Sequence, residues 1–157
     1  AMQMAEAEEQ IAAYQASLEL SIDETNVELA TEAGALAEGE QIFVAQCAAC
    51  HANDGGGGVG PNMTDEYWIH GGDIKDLFAT IKYGVPQKGM ISWQSQLTPA
   101  QMQNVASYIL TLQGTTPANP KEPQGELYVP ATEEGQLEEG SSRGAARESN
   151  YGVGPKF

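Results

Sequence analysis

Basic residues are scarce in this chain: 7 lysines and arginines stand against 22 aspartates and glutamates among 157 residues, a formal net charge of -15. Binding to nucleic acid requires a basic face, so this composition excludes it. Long hydrophobic runs are also missing, since no window approaches the ~20 apolar residues of a membrane-spanning helix. No basic segment followed by an apolar stretch marks a signal peptide. We therefore expect an acidic, soluble protein whose docking partners complement its charge.

Cysteine is equally rare, because Cys47 and Cys50 are the only two in the chain. No further thiol exists to build a disulfide framework, yet the spacing of these two is informative. Cys47-Ala48-Ala49-Cys50-His51 is a c-type haem attachment motif. Each thiol adds across a vinyl group of the porphyrin, which delivers the next residue to the iron as the proximal imidazole. The motif predicts one covalent haem c, with His51 as a ligand of the iron.

Two other uses of a cysteine pair fit this sequence less well. A thioredoxin-like redox pair would be surrounded by a βαβ pattern, and the sequence around Cys47 and Cys50 shows none. A structural zinc ion would need a second pair of ligands, which the motif does not supply. Haem attachment is the stronger interpretation.

Charge divides the chain into three predicted regions. Residues 1–33 hold 8 acidic and no basic residues, and their Ala-, Glu- and Gln-rich start predicts an acidic helical arm or linker. Residues 34–114 carry both cysteines, both histidines and both tryptophans, which predicts the folded mono-haem domain. Residues 115–157 are rich in proline and glycine, and we expect an extended or disordered tail. An arm that orders on a partner remains open for this tail.

Helix signals within the folded region are local and clear. An amphipathic pattern over 37–47 predicts a helix that runs into the haem motif. Asp73 is a good N-cap for a second helix, and Thr98 with Pro99 and Gln101 forms a capping box for a third. Residues 85–97 lack periodicity, which predicts a long ordered loop.

A second axial ligand would make the haem an electron carrier, whereas a free position would suit gas or peroxide binding. The candidates are His70, Lys88 and the methionines. Met90 is favoured because it lies in the middle of a loop, with no periodic helical face to serve. Met102 falls on a helix stripe, where methionine is usually core. Met63 follows the Gly60-Pro61 turn, and we expect it near the proximal edge of the haem.

Two further residues have predicted supporting roles. The carbonyl of Pro61 is an acceptor that could take the second imidazole proton of His51 and fix the ring's orientation. Its alternative is an ordinary turn residue. Trp93 lies close to Met90 in the sequence, and we expect it to pack on the haem or to donate its indole proton to a propionate.

The segment from Glu38 to Gln113 resembles a class I cytochrome c domain. More narrowly, "GVGPNMTDEYWIHGG", "IKYGVPQKGMISW" and "LTPAQMQNVASYIL" resemble the haem domain of the third subunit of cbb3-type cytochrome c oxidases. The resemblance implies an all-α fold of three to five helices around a covalent haem c. It also implies that Met90 is the distal ligand and that Pro61 lies near the proximal histidine.

The resemblance implies a function as well. Such a domain does no catalysis of its own, but passes electrons from a donor cytochrome or other redox protein towards the haem–copper subunit of an oxidase. Many such subunits carry two haem motifs and a membrane helix, whereas this chain has one motif. We therefore expect an anchor upstream of residue 1 and a location on the periplasmic side of the inner membrane.

The sequence is compatible with three alternatives. Two are electron-transfer proteins: a free periplasmic mono-haem cytochrome c, or the haem domain of a periplasmic dehydrogenase. The third belongs to a different class, a haem-based sensor whose distal ligand is exchangeable.

Overall fold

Residues 2–130 are described by the computed structural model, and α-helices dominate them. The helices are α1 (Met2–Leu20), α2 (Ala33–Ile42), α3 (Ala48–His51), α4 (Ile74–Tyr83) and α5 (Pro99–Thr111). A π-helical turn, Phe43–Cys47, joins α2 to α3, and a 3₁₀ turn spans Pro86–Lys88. Two short strands, β1 (Tyr67–Trp68) and β2 (Glu126–Leu127), pair antiparallel. The predicted all-α fold is confirmed.

The core forms where α2 and α4 pack on α5. Its most completely buried large apolar side chains are Phe43, Phe78, Met102 and Val105. Phe43 also packs against Tyr108 of α5, with ring centroids 5.5 Å apart. The start of α5 has the predicted capping box, because the Thr98 hydroxyl accepts the Gln101 N–H and the Gln101 side chain accepts the Thr98 N–H.

Gly39 lies where α2 crosses α5. A Cβ atom at this position would stand 2.3 Å from the carbonyl oxygen of Asn104 and 2.9 Å from Cβ of Tyr108. Because backbone atoms cannot move aside as a flexible side chain can, a glycine is required for the two helices to approach this closely. Gly34, in the same helix, has nothing within 4 Å of such a Cβ.

The Gly39→Ala variant is therefore expected to lower the free energy of unfolding by about 1–3 kcal/mol, the cost of overpacking. Gly34→Ala is the matched control, and its better helix propensity should raise stability by up to about 1 kcal/mol. Denaturant unfolding followed by circular dichroism measures both. Equal effects of the two substitutions would show that the helix crossing does not select glycine.

The region predicted as an acidic arm has two different environments. Side chains 3–20, on α1, are exposed. The following segment lies on the domain: Val27 is only 3% exposed, and the Ala30 N–H donates to the Ser107 hydroxyl of α5 over 2.9 Å. Residues 21–32 thus form a belt across the helical core.

Glu24 fastens this belt to the end of α4. Its carboxylate accepts a hydrogen bond from the Tyr83 hydroxyl, with 2.6 Å between the two oxygens, and pairs with the Lys82 ammonium at 2.9 Å. The bond from Tyr83, and then that from Lys82, lowers the pKa of Glu24 from 4.5 to about 2. A carboxylate with a lowered pKa in the folded state stabilises the fold above its ordinary pKa, and that contribution is lost as pH falls towards the lowered value.

We expect Glu24→Gln to flatten the decline of Tm between about pH 4.5 and pH 2, the window between the two pKa values. Glu9→Gln, on exposed α1, is the control and should retain the full decline. Thermal unfolding across this pH range is the measurement. A Glu24→Gln curve parallel to that of the unchanged protein would contradict the role assigned to this contact.

Residues 115–130 contain the short strand β2 and are otherwise irregular, and they contact the domain: the Tyr128 N–H donates to the Glu66 carbonyl over 2.9 Å. The remainder of the tail predicted over 115–157 lies outside the described residues. Within 2–130, no helix combines the length and apolar character that crossing a membrane requires.

Candidate haem site

The attachment motif lies at the end of one long helical run formed by α2, the π-helical turn and α3. In the turn, the Ala48 N–H reaches back five residues to the Phe43 carbonyl. Such single π turns often occur at functional sites. This turn presents Cys47 half-buried against the core, while Cys50 is exposed, and both are free thiols.

Burial, and secondarily the neighbouring Cys50, raises the pKa of the Cys47 thiol to about 11. Cys47 is consequently a thiol rather than a thiolate at neutral pH. A redox-active pair requires a thiolate, so this environment does not favour the thioredoxin-like alternative. In the described part of the chain, no three histidine, cysteine, aspartate or glutamate side chains are grouped to hold a metal ion.

His51 is held by the Pro61 carbonyl. The oxygen lies 3.0 Å from Nδ1, and because a carbonyl only accepts, Nδ1 carries the proton and donates it. Burial is the main cause of a lowered pKa at His51, a hydrogen bond to Pro61 opposes it, and the Lys121 charge lowers it further. His51 is therefore a neutral imidazole whose Nε2 lone pair remains available to a metal.

Gly60 lies against the face of this imidazole. A Cβ atom on Gly60 would stand 2.5 Å from Cε1, 2.8 Å from Nδ1 and 2.9 Å from Nε2 of His51. The loop is fixed to α3 by two backbone hydrogen bonds. The Gly60 N–H donates to the Cys50 carbonyl over 2.7 Å, and the Gly57 N–H donates to the His51 carbonyl over 2.9 Å. Ala52, with φ of 66°, reverses the chain directly after the motif.

Met90 is held by a small closed loop. Its N–H donates to the Val85 carbonyl over 3.1 Å, and its carbonyl accepts the Val85 N–H over 2.9 Å. The 3₁₀ turn Pro86–Lys88 and the left-handed Gly89 close the loop between them. Both backbone groups of Met90 are thus fixed, which positions its side chain.

The predicted ordered loop 85–97 is also tied to the end of α4. The Trp93 N–H donates to the Ile81 carbonyl over 3.1 Å, and the Ser92 hydroxyl donates to the Lys82 carbonyl over 2.6 Å. Cys47, Met90 and Trp93 are all partly buried against the same apolar core cluster. The structure therefore brings one attachment thiol, the predicted distal ligand and the predicted aromatic neighbour to one core.

The other candidate ligands lie elsewhere. His70 and Lys88 are exposed. Met102 is buried in the core, which confirms the prediction from its helix stripe, and Met63 is buried in the same core cluster. The Met63 N–H donates to the Gly55 carbonyl over 2.8 Å, so it borders the glycine loop beside α3.

Asn62 and Lys121, for which the sequence predicts no role in the site, complete the loop beside His51. The Lys121 N–H donates to the Gly56 carbonyl over 2.8 Å, and the Asn62 amide donates to the Lys121 carbonyl over 3.1 Å. No local pattern could have indicated these contacts, because they join segments about 60 residues apart.

The arrangement fits a c-type haem. Cys47 and Cys50 are free thiols at the attachment spacing, and Nε2 of His51 is available to a metal. The glycine at position 60 allows the loop to approach the His51 ring, because a side chain there would collide with it. The closed loop also carries the thioether of Met90, and methionine is an axial ligand in c-type cytochromes.

The family model described as "Cytochrome C oxidase, cbb3-type, subunit III" matches residues 34–109. The matched segment contains the haem attachment motif, and it is similar to the cytochrome c domain of cbb3-type subunit III. The match confirms the resemblance and the fold class expected from the sequence, and a cytochrome c domain implies haem c as its cofactor.

Curated relatives agree with this assignment. Over 88 residues the cytochrome domain is 42% identical to "Cbb3-type cytochrome c oxidase subunit CcoP" of Rhodobacter capsulatus, an alignment that covers 48% of this chain and 29% of that protein. CcoP of Cereibacter sphaeroides is 43% identical over 89 residues, covering 53% and 29%. FixP of Azorhizobium caulinodans is 37% identical over 93 residues, covering 54% and 32%. The alignments span less than a third of these relatives' length.

Among solved structures, the chain is similar to cytochrome cL from Methylophaga aminisulfidivorans. It has a TM-score of 0.49 and 26% identity, and the match covers 53% of this chain and 56% of that one.

Proposed function

We propose that this protein transfers single electrons through one haem c, attached through Cys47 and Cys50 and ligated by His51 and Met90. The observation that carries the proposal is the His51 imidazole, whose Nδ1 is bonded to Pro61 and whose Nε2 is left for iron. The cytochrome c family match supports the cofactor class.

When bound, haem c supplies an iron that alternates between the ferrous and ferric states. The work of the chain is to hold the ligands still. Pro61 fixes the ring of His51, and the closed loop from Val85 to Met90 fixes the thioether. If His51 and Met90 both hold the iron, their fixed positions would be the same in either oxidation state, which favours electron transfer over substrate binding. A thioether ligand also raises the reduction potential.

We further propose that the domain passes electrons towards the haem–copper subunits of a cbb3-type oxidase, on the periplasmic side of the inner membrane. The similarity to CcoP and FixP subunits supports this setting. The net charge of -15 favours a donor cytochrome, or other redox protein, with a basic docking face. A membrane anchor would lie upstream of residue 1.

Two measurements test the haem site. After expression with a haem c maturation system, intact mass under denaturing conditions should show one covalent haem. The ferric spectrum should be low-spin, with a methionine–iron charge-transfer band. A high-spin ferric spectrum would instead support a sensor with an exchangeable distal ligand and would overturn the electron-transfer proposal.

The setting is tested by affinity purification of the full-length protein from native membranes in mild detergent. We expect the haem–copper subunits to co-purify with it, together with oxygen-reducing activity. Recovery of the protein alone from the periplasmic fraction would instead support a free cytochrome or the haem domain of a dehydrogenase.

A further inference from the structure

We propose that Lys121 is a positioning residue for the proximal side of the haem: it clamps the loop that holds His51, and its ammonium raises the reduction potential. This inference rests on the proposed function, because it concerns the same haem. It assigns a role in the site to a residue from the segment that composition predicts to be an extended tail.

The clamp consists first of backbone contacts. The Lys121 N–H donates to the Gly56 carbonyl over 2.8 Å, and the Lys121 carbonyl accepts from the Asn62 amide over 3.1 Å. These two bonds hold both ends of the loop 56–62, which carries Pro61 and Gly60 to the imidazole. Asn62 is buried, and its amide oxygen also accepts the Thr64 N–H over 2.8 Å, so the loop end is well fixed.

The Lys121 side chain lies along the same loop. A Cβ atom built on Gly57 would stand 2.9 Å from the Lys121 Cβ, so the two chain segments are in close contact there. The ammonium reaches the Val59 carbonyl at 3.5 Å, the outer limit of a hydrogen bond. Val59 immediately precedes Gly60, which places the positive charge beside the loop that contacts His51.

A positive charge near the iron destabilises the ferric state, which carries one more positive charge than the ferrous state, and so raises the potential. Lys121 brings such a charge to the proximal side, because its ammonium lies 3.5 Å from the Val59 carbonyl, in the loop that also carries Gly60 and Pro61 to His51. Asp54 opposes it in part. This carboxylate accepts the Gly56 N–H over 3.0 Å and the Ala118 N–H over 3.3 Å, within the same contact region.

The charge is tested with Lys121→Met, which keeps the aliphatic stem, and with Lys121→Arg, which restores the charge. Lys75→Met, on the exposed side of α4, is the matched control. In equilibrium with a redox buffer, Lys121→Met should lower the ferrous-to-ferric ratio about threefold. This corresponds to a reduction potential lower by about 30 mV, because a tenfold change in the ratio equals 59 mV for one electron. Lys121→Arg should restore the potential, and Lys75→Met should shift it less than half as far.

The clamp is tested with Lys121→Pro, which removes the N–H donated to Gly56. Hydrogen exchange at the Gly57 and Gly60 amides should become at least tenfold faster, because the loop opens more often. Lys121→Met keeps both backbone bonds and should leave these exchange rates unchanged.

Equal shifts of the potential in Lys121→Met and Lys75→Met, or no shift in Lys121→Met, would overturn the electrostatic role. Unchanged amide exchange in Lys121→Pro would overturn the clamp. In every variant, covalent haem is checked by mass and the methionine–iron band by spectrum. If the unsubstituted protein lacks these two signals, the proposed function itself is refuted. This outcome is therefore distinguishable from a failure of the role proposed for Lys121.

Discussion

Replacing Met90 by leucine is expected to convert the ferric protein from low spin to high spin and to lower its reduction potential by on the order of 100 mV, within the ~0.8 V range over which axial ligands set haem potentials. Leucine has similar volume, so packing against the core cluster is largely retained while the sulfur is lost. Without the thioether, the ferrous state loses its preferred ligand. Absorption and resonance Raman spectra report the spin state, and a redox titration reports the potential.

Met102→Leu is the control for this experiment. Met102 is 2% exposed and lies in the core on α5, so its substitution tests packing alone and should leave the spectrum unchanged. A Met90→Leu protein that retains the methionine–iron band would transfer the ligand role to another methionine. A Met90→Leu protein with the spectrum of a bis-histidine haem would indicate that His70 has become the ligand. His70 is exposed and lies 19 residues after His51 in the chain.

The second large effect is expected from Gly60→Ala, which should displace the imidazole of His51, the predicted proximal ligand. The added Cβ would lie between 2.5 and 2.9 Å from three atoms of the His51 ring, far inside contact distance. Either the imidazole turns or the loop withdraws, and in both cases the bond from Nδ1 to Pro61 is strained or broken. We expect a loss of at least about 2 kcal/mol in unfolding free energy, as for severe overpacking, together with a smaller yield of covalent haem.

Gly58→Ala serves as the control in the same loop. Its added Cβ would meet only the Cys50 carbonyl oxygen, at 3.2 Å, a contact that a small adjustment relieves. Haem yield, unfolding free energy and the electron paramagnetic resonance of the ferric protein are compared for the two variants. If Gly60→Ala behaves like Gly58→Ala on all three, the imidazole does not require a glycine beside it.

Much of this architecture is predictable because its signals are local. The capping residues Asp73 and Thr98 and the apolar spacing behind them specify α4 and α5, since each signal acts within a few residues. The haem motif is equally local, as five consecutive residues define it. Met90 could be singled out for a complementary reason: it lies in a loop and serves no periodic face.

What the sequence does not reveal depends on contacts between distant segments. The belt 21–32 is fixed by Lys82, Tyr83 and Ser107, which lie about 60 to 80 residues away along the chain. Lys121 contacts Asn62 across 59 residues. Neither segment has a pattern of its own, because backbone groups make many of the bonds. The π-helical turn is also invisible in the sequence, since Phe-Val-Ala-Gln-Cys fits an ordinary helix equally well.

The clamp at Lys121 has a consequence for the order in which the protein matures. The attachment motif ends 70 residues before Lys121, so the loop beside His51 is closed only when two distant segments of the chain come together. Until Lys121 has docked, Gly56 and Asn62 lack these hydrogen-bond partners. We therefore expect the motif to be more accessible to haem attachment before the chain has folded than after Lys121 has closed the loop.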